Sequence, residues 1–398
     1  MDDINRKLRS LAAKIHSDSP LKILIFGLGS VGNYLLDYLM SWSETNIELH
    51  VCGRTPEKLI QDVNIATVGN IIRHNRRKPA IIHKLDMNDI DATAEVIQKV
   101  APDFVVNSSR VYSGLKYGSI SWKNFRAYGL WSPLSVKFIR NIMIACRKAS
   151  CAPIVINTSY SDAVNKWLKS AGLICPDFGS GNLNHLIPRI KLAAASEAGI
   201  ADTGKIDVVL ATSHFHDVVI SKEGQTEGVD PLAHISHAGR DLHLDMRAVY
   251  RKCAIPMPVD AKRNIMNASS NFEIISKIVD AIRSCSAQTI HSPGVGGHIG
   301  GYPVLIDFRN GSSSQKHISF IEDYFTLEEM EAHNRASIAL DGIEDVSDGV
   351  LTYTDLLQER VKQSFGVNIP KRVHFDSIPD MSDFLINKII SPALGVSV

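Results

Sequence analysis

The feature that most constrains this chain is KILIFGLGSVG at residues 22–32, an unbroken apolar run that stops at a glycine and is followed by two more glycines at fixed spacing. A short continuous apolar run suits a strand covered on both faces, the kind found in parallel sheets with helices above and below. Residues 30–42 then place apolar side chains at helical spacing. Further along, strand patterns at 47–54, 102–109 and 152–159 alternate with helical patterns at 92–100 and 134–149. Such alternation marks βαβ units. The expected class is α/β: a Rossmann-type doubly wound parallel sheet over residues 1–158, then an α+β domain over residues 159–398 for the rest of the site. In that second part, 205–220 reads as two strands flanking a polar turn, 263–284 as a long helix and 298–311 as a strand and turn. Residues 326–340 read as a late helix with a threonine cap and an acidic first turn.

Composition narrows the function classes. A chain of 398 residues with 44% apolar and 21% charged residues is long enough for two packed cores. Its 43 Lys+Arg and 42 Asp+Glu cancel, leaving no basic surplus to hold a nucleic-acid backbone. The six cysteines are scattered without a C-x-x-C pair, as expected of reduced thiols rather than a disulfide framework. Residues 1–20 alternate charged and apolar side chains, a short amphipathic helix rather than a signal peptide. No stretch approaches the roughly 20 apolar residues needed to cross a bilayer. The expectation is a cytoplasmic protein acting on a small molecule, with neither nucleic-acid nor membrane partners.

The glycines carry the first chemical reading. Gly27-Leu28-Gly29-Ser30-Val31-Gly32 matches G-x-G-x-x-G, with a strand before it and a helix opening inside it. Gly27 permits a tight turn, Gly29 lets the backbone approach a pyrophosphate, and Gly32 lets the helix pack close to the sheet. The helix N-terminus, entered at Ser30 and Val31, offers free N–H groups to the anion. At the end of the second strand the sequence is Val51-Cys52-Gly53-Arg54-Thr55, with no carboxylate before Glu57. Arg54 can pair with a ribose 2′-phosphate and Thr55 can add a hydroxyl, which favours NADP(H) while leaving NAD(H) open.

The order of later segments resembles that of the lactate and malate dehydrogenase superfamily. INTSYSDAVNKWLKSAG (156–172) is similar to that family's strand ending in Asn-Pro-Val-Asp, with Thr158 in place of the proline. FGSGNLNHLIPRIKLAAASEAGI (178–200) resembles its Gly-Ser-Gly-Thr-x-Leu-Asp helix, and LATSHFHDVV (210–219) its Gly-Glu-His-Gly-Asp loop. NASSNFEIISKIVDAI (267–282) is similar to the helix carrying a small hydroxyl residue, here Ser269, near substrate; residues 300–311 and 326–340 resemble the closing strand and last helix. The resemblance implies hydride transfer, with His214 exchanging a proton with the substrate oxygen and His216 as competitor or support. It also implies a cofactor edge at Asn107 and Ser108, a substrate contact at Asn157, and pairing into a homodimer.

Departures from the family pattern suggest a rebuilt pocket. Asn184 stands where an aspartate orients the catalytic histidine, and Ile187 where an arginine clamps the substrate carboxylate. Asn184 is the expected orienting group, and Arg110 or Arg189 the expected clamp. A 2-oxo or 2-hydroxy acid, a larger ketone, an imine or an opine-like conjugate are all open as substrates. The glycine-containing segments 234–243 and 294–301 are candidates for a lid or pocket wall. Two rivals stand beside this reading: a nucleotide-sensing protein without catalysis, and a metal-dependent enzyme using His214, His216, His234, His237 and His243. The histidines lack any H-E-x-x-H spacing, and no metal site is expected.

Overall fold

A computed structural model describes residues 1–44, 46–311 and 316–395. After helix α1 (Asp2–His16), the first half runs β1 (Leu21–Phe26), α2 (Ser30–Ser41), β2 (Ile47–Gly53), α3 (Pro56–His74), β3 (Ala80–Lys84), α4 (Ile90–Val100) and β4 (Phe104–Asn107). It continues with α5 (Gly114–Asn124), α6 (Ser132–Lys148), β5 (Ile154–Asn157), α7 (Ser161–Ser170) and β6 (Phe178–Gly179). These six strands form one parallel sheet in the order β3-β2-β1-β4-β5-β6. That is the doubly wound Rossmann order, with its topological switch between β1 and β4. The sheet runs past residue 158 to take in β6.

The apolar run of β1 is continuous because successive side chains enter different cores. Leu24 and Phe26 join the cluster on one face of the sheet, while Leu21, Ile23 and Ile25 join the other. β4 and β5 divide likewise: Val105 and Val155 face one core, and Phe104, Val106, Ile154 and Ile156 the other. Both faces are covered, so no polar alternation is required. α1 is tied to the same body by the buried Lys7–Asp177 ion pair at 2.8 Å.

The second half contains α8 (Leu186–Ala198), β7 (Ile206–Ala211), α9 (His214–Glu223), β8 (Leu232–His237), β9 (Arg240–Asp241), α10 (Met246–Cys253) and α11 (Asn264–Arg283). Then come β10 (Ala287–Pro293), β11 (Gly301–Asp307), β12 (Ile318–Phe320), α12 (Leu327–Leu340), β13 (Ile343–Ser347), β14 (Val350–Tyr353), α13 (Asp355–Phe365), β15 (Arg372–His374) and α14 (Ile378–Leu385). Its strands form three small sheets, β7-β8-β9, β10-β11-β12 and β13-β14-β15, with antiparallel pairing. Thr326 caps α12 in a reciprocal capping box with Glu329. The last part of the chain returns to the first half, where Ile378, Met381 and Leu385 share a core with Ile139 and Ile142 of α6.

One expected element is different. Residues 214–223 are a helix, not the second strand of a hairpin; the strand that pairs with β7 is β8. Every residue from His214 to Ile220 is buried, so the helical period is hidden and the β-branched Val218-Val219-Ile220 run reads as strand. A long-range contact starts the helix: the Asp162 carboxylate of α7 accepts the His214 N–H at 2.9 Å. Gly224, at φ +67, ends it. The two histidines therefore do not share a face. Two residues along a helix amount to roughly 200° of rotation, which sends His214 and His216 in different directions.

Candidate active site

The glycine-rich turn lies at the carboxyl ends of β1 and β4, at the switch point. Gly27 has φ +87, a conformation that favours glycine. A side chain on Gly32 would overlap the Gly27 carbonyl oxygen, so the first turn of α2 can close on the loop only without one. A side chain on Gly29 would meet nothing within 4 Å. It would stand in the open space above the N-terminus of α2, where an anion meets free N–H groups. Ser108 braces the turn from β4, its hydroxyl donating to the Gly27 carbonyl at 2.6 Å. At the end of β4 the Asn107 side-chain carbonyl accepts from Ser109, and its amide donates to Asn157 at 3.0 Å. These features fit a dinucleotide pyrophosphate.

Gly29, Ser30, Val31 and Ser108 open onto a cleft of about 550 Å³ that runs from this turn into the second half. A volume in that range suits a small-molecule site. His214 stands across the cleft, on the first turn of α9, and is largely buried. Its Nδ1 lies 3.2 Å from the Asp341 carboxylate, and its Nε2 is 3.2 Å from the Asn182 amide nitrogen. A carboxylate only accepts and an amide nitrogen only donates, so the neutral ring carries its proton on Nδ1 and presents Nε2 as the acceptor. Burial alone would lower the imidazole pKa; the Asp341 hydrogen bond and the charges of Asp341, Asp162 and Asp217 outweigh it and raise the pKa.

Asp341, fully buried at the end of α12, organises this side of the cleft. Besides His214, its carboxylate accepts the Tyr160 hydroxyl at 2.6 Å and the Tyr128 N–H at 2.7 Å. Tyr160 adopts a left-handed backbone, φ +48, at the start of α7. The rings of Tyr128 and Tyr160 meet the imidazole edge-on, at 5.0 and 5.4 Å between centroids. Asp162, also on the cleft, is pushed up to about 6, burial being the largest cause and His214 opposing it. The arrangement holds the imidazole on Asp341 through Nδ1, with Nε2 accepting from Asn182 in the cleft that the glycine turn borders.

The residues expected from sequence divide into two groups. Gly27, Gly29, Ser30, Val31, Gly32, Ser108, Arg110 and His214 are all at the turn or the cleft. Arg110 donates to the Tyr117 hydroxyl and the Thr158 carbonyl. Arg54 and Thr55 lie exposed beyond the end of β2, the strand next to β1. The other group lies elsewhere. Asn184 donates to the His291 carbonyl at 2.7 Å; the partner of His214 is Asp341 instead. His216 is buried against Ser337 and Thr212, and burial and the neighbouring His333 lower its pKa to about 4. Arg189 points into the second half, onto the Cys253 carbonyl and the Met257 sulfur. Ser269 is exposed, bonded to the Ile265 carbonyl one turn back; Asn267 occupies the cleft face of α11. Asn157 is buried among Asn107, Ser159 and Asn165. His234, on β8, is stacked on Tyr324 and paired with Asp241 at 3.0 Å. Among the described residues, no three His, Cys, Asp or Glu side chains gather to hold a metal ion, and no helix is long and apolar enough to cross a membrane.

Asp341, Tyr128, Tyr160, Asn182 and Arg263 were not singled out from the sequence. Tyr160 and Asp162 fall in the segment resembling Asn-Pro-Val-Asp and Asn182 in the one resembling Gly-Ser-Gly-Thr-x-Leu-Asp, but those patterns gave them no role.

Comparison with known proteins agrees with this architecture. Residues 23–118 match the family described as the saccharopine dehydrogenase NADP binding domain. That match supports NADP(H) as the cofactor, in keeping with Arg54 and Thr55, rather than a carboxylate, directly after β2. Among solved structures, the chain is similar to the malate dehydrogenase from Aeropyrum pernix, with a TM-score of 0.52 and 16% identity, covering 80% of this chain and 96% of that one. It is also similar to the malate dehydrogenase from Picrophilus torridus in its apo form (TM-score 0.49, 12% identity, 81% and 97% covered). A third is the lactate dehydrogenase from Eimeria maxima with NADH and oxamate (TM-score 0.46, 13% identity, 80% and 92% covered). At such identities the likeness to the Aeropyrum protein establishes the fold alone. No curated protein sequence matches the chain.

Proposed function

We propose that the chain is an NADP(H)-dependent oxidoreductase, a divergent relative of the lactate and malate dehydrogenases. Its substrate would be a small carbonyl or imine compound, or the corresponding alcohol or amine. One observation carries the reading: a buried imidazole anchored on Asp341 shares a cleft with the glycine turn. Bound NADP(H) would supply or accept a hydride on its nicotinamide ring. Residues 27–32 and Ser108 would hold the pyrophosphate, and Arg54 with Thr55 the 2′-phosphate. In the reducing direction protonated His214 would give the Nε2 proton to the substrate oxygen or nitrogen; in the oxidising direction neutral His214 would take it. Asp341 would keep the ring in the productive tautomer and stabilise the imidazolium that forms. Tyr128 and Tyr160 would exclude water around it. Residues 1–158 would serve as the cofactor half and 159–398 as the half supplying the proton-transfer group, with Arg110 at the substrate end.

Steady-state NADPH oxidation against a panel of ketones, 2-oxo acids and imines tests this proposal. Turnover that falls at least about 100-fold in His214→Gln, with NADPH affinity kept, is the expected result. Equal turnover by the variant on the best substrate removes His214 from the mechanism.

A further inference from the structure

The lower wall of the cleft contains polar groups that the proton-transfer machinery does not use. His185 is about 95% buried (5% exposed) on the short turn before α8 and borders the cleft; neither ring nitrogen completes a hydrogen bond of good geometry, although the Met266 backbone acts on the ring. Burial, with the charges of Arg263 and Arg189, lowers its pKa to about 3, so it is a neutral imidazole with one N–H to donate. Asn267, in the first turn of α11, is similarly buried at 8% exposure. Its amide nitrogen is used on Asn264, which leaves its carbonyl oxygen buried without a donor. One turn earlier, and so on the same side of the helix, Arg263 lines the cleft. Among the described residues its guanidinium forms no ion pair or hydrogen bond, although Asp217 faces the same space. Between Arg263 and Asn267, Asn264 reaches the Ser30 hydroxyl of the glycine turn at 2.5 Å, which places this wall next to the cofactor loop.

A buried polar atom without a partner carries an appreciable free-energy cost, and an unpaired guanidinium in a cleft is a ready donor pair. We propose that Arg263, His185 and Asn267 form an oxyanion subsite. Arg263 and the His185 N–H hold the anionic oxygens of a ligand, and the Asn267 carbonyl accepts a hydrogen from a neighbouring hydroxyl or amine. The subsite rests on the reading of the cleft as a dinucleotide site. It supplies the anion clamp that neither Ile187 nor Arg189 can provide. The oxyanion belongs either to a substrate carboxylate or to the nicotinamide-side phosphate of the cofactor, which present the same chemistry to a guanidinium.

Calorimetry on the full chain separates the two sources, using the wild type, Arg263→Gln and Arg263→Lys. The probes are NADPH, adenosine 2′,5′-bisphosphate, and oxalate added at saturating NADP⁺. Loss of a charged hydrogen-bond donor predicts a weakening of about 10- to 100-fold in Arg263→Gln, partly recovered in Arg263→Lys. If NADPH weakens and the bisphosphate does not, the oxyanion is the cofactor's phosphate. If NADPH is unchanged and oxalate is lost, it is a substrate carboxylate. A variant that matches a NADPH-binding wild type on all three probes overturns the subsite. A wild type that fails to bind NADPH overturns the cofactor reading, and the subsite with it.

Discussion

Replacing Asp341 with Asn should lower the pKa of His214 without emptying the site. Asp341 is fully buried and gives the His214 ring its only carboxylate hydrogen bond among the described residues, at 3.2 Å. A charge-assisted hydrogen bond contributes about 1.5–3 kcal/mol. At 1.36 kcal/mol per pH unit, its loss corresponds to a fall of about 1–2 units in the imidazole pKa. The sign follows from the cause: the negative carboxylate favours imidazolium, so a neutral amide favours the free base. Asp162 and Asp217 remain beside the ring and, while ionised, limit the fall. The assay is an NMR titration of the His214 ring protons, which needs no substrate. Asn184→Ala serves as the comparison, since Asn184 bonds to His291 and not to His214. The reasoning is refuted if His214 titrates in Asp341→Asn as it does in the wild type, or if Asn184→Ala moves it as far.

The same shift sets the pH dependence of turnover. With its pKa raised, His214 holds its proton to higher pH than an ordinary imidazole, so carbonyl or imine reduction should persist to correspondingly higher pH. The reducing limb should move to lower pH in Asp341→Asn, and kcat/KM profiles would show it. Gly29→Ala should fold as the wild type does, because its new methyl group meets open space, yet weaken NADPH about 10-fold or more by occupying the anion's approach. Gly32→Ala should instead destabilise the protein by about 1–3 kcal/mol, seen in thermal melts, because the methyl group collides with the Gly27 carbonyl. Arg54→Asp should shift the ratio of NADPH to NADH affinity by about 10-fold or more toward NADH; an unchanged ratio would remove Arg54 from cofactor selection.

What was legible in the sequence was local. The buried strand, three glycines and helix at 21–41 are contiguous, and each residue's role follows from its neighbours. The strands β4 and β5 were visible because their side chains fill cores on both faces. β3 was harder to see: its residues Ala80–Lys84 are partly exposed at the sheet edge, where the apolar signal fades. α9 was misread because its first N–H is capped by Asp162, 52 residues earlier. The partner of His214 lies 127 residues away, at the end of a helix whose own pattern says nothing about the cleft. By resemblance that role had fallen to Asn184, which the turn at 182–185 directs toward His291. Arg189 was a reasonable clamp by composition, but its side of α8 faces Cys253 of α10. The glycine turn was thus readable as a segment, whereas the proposed proton-transfer site is built from α7, α9 and α12 and exists only after folding.

The most direct test of the account is a calorimetric titration of NADPH into the wild-type chain. It predicts saturable binding of one nucleotide per chain, with a dissociation constant between about 1 µM and 1 mM, and competition by NADP⁺. Absence of saturable heat for NADPH across that range would contradict the claim that the glycine turn cradles a redox cofactor opposite His214.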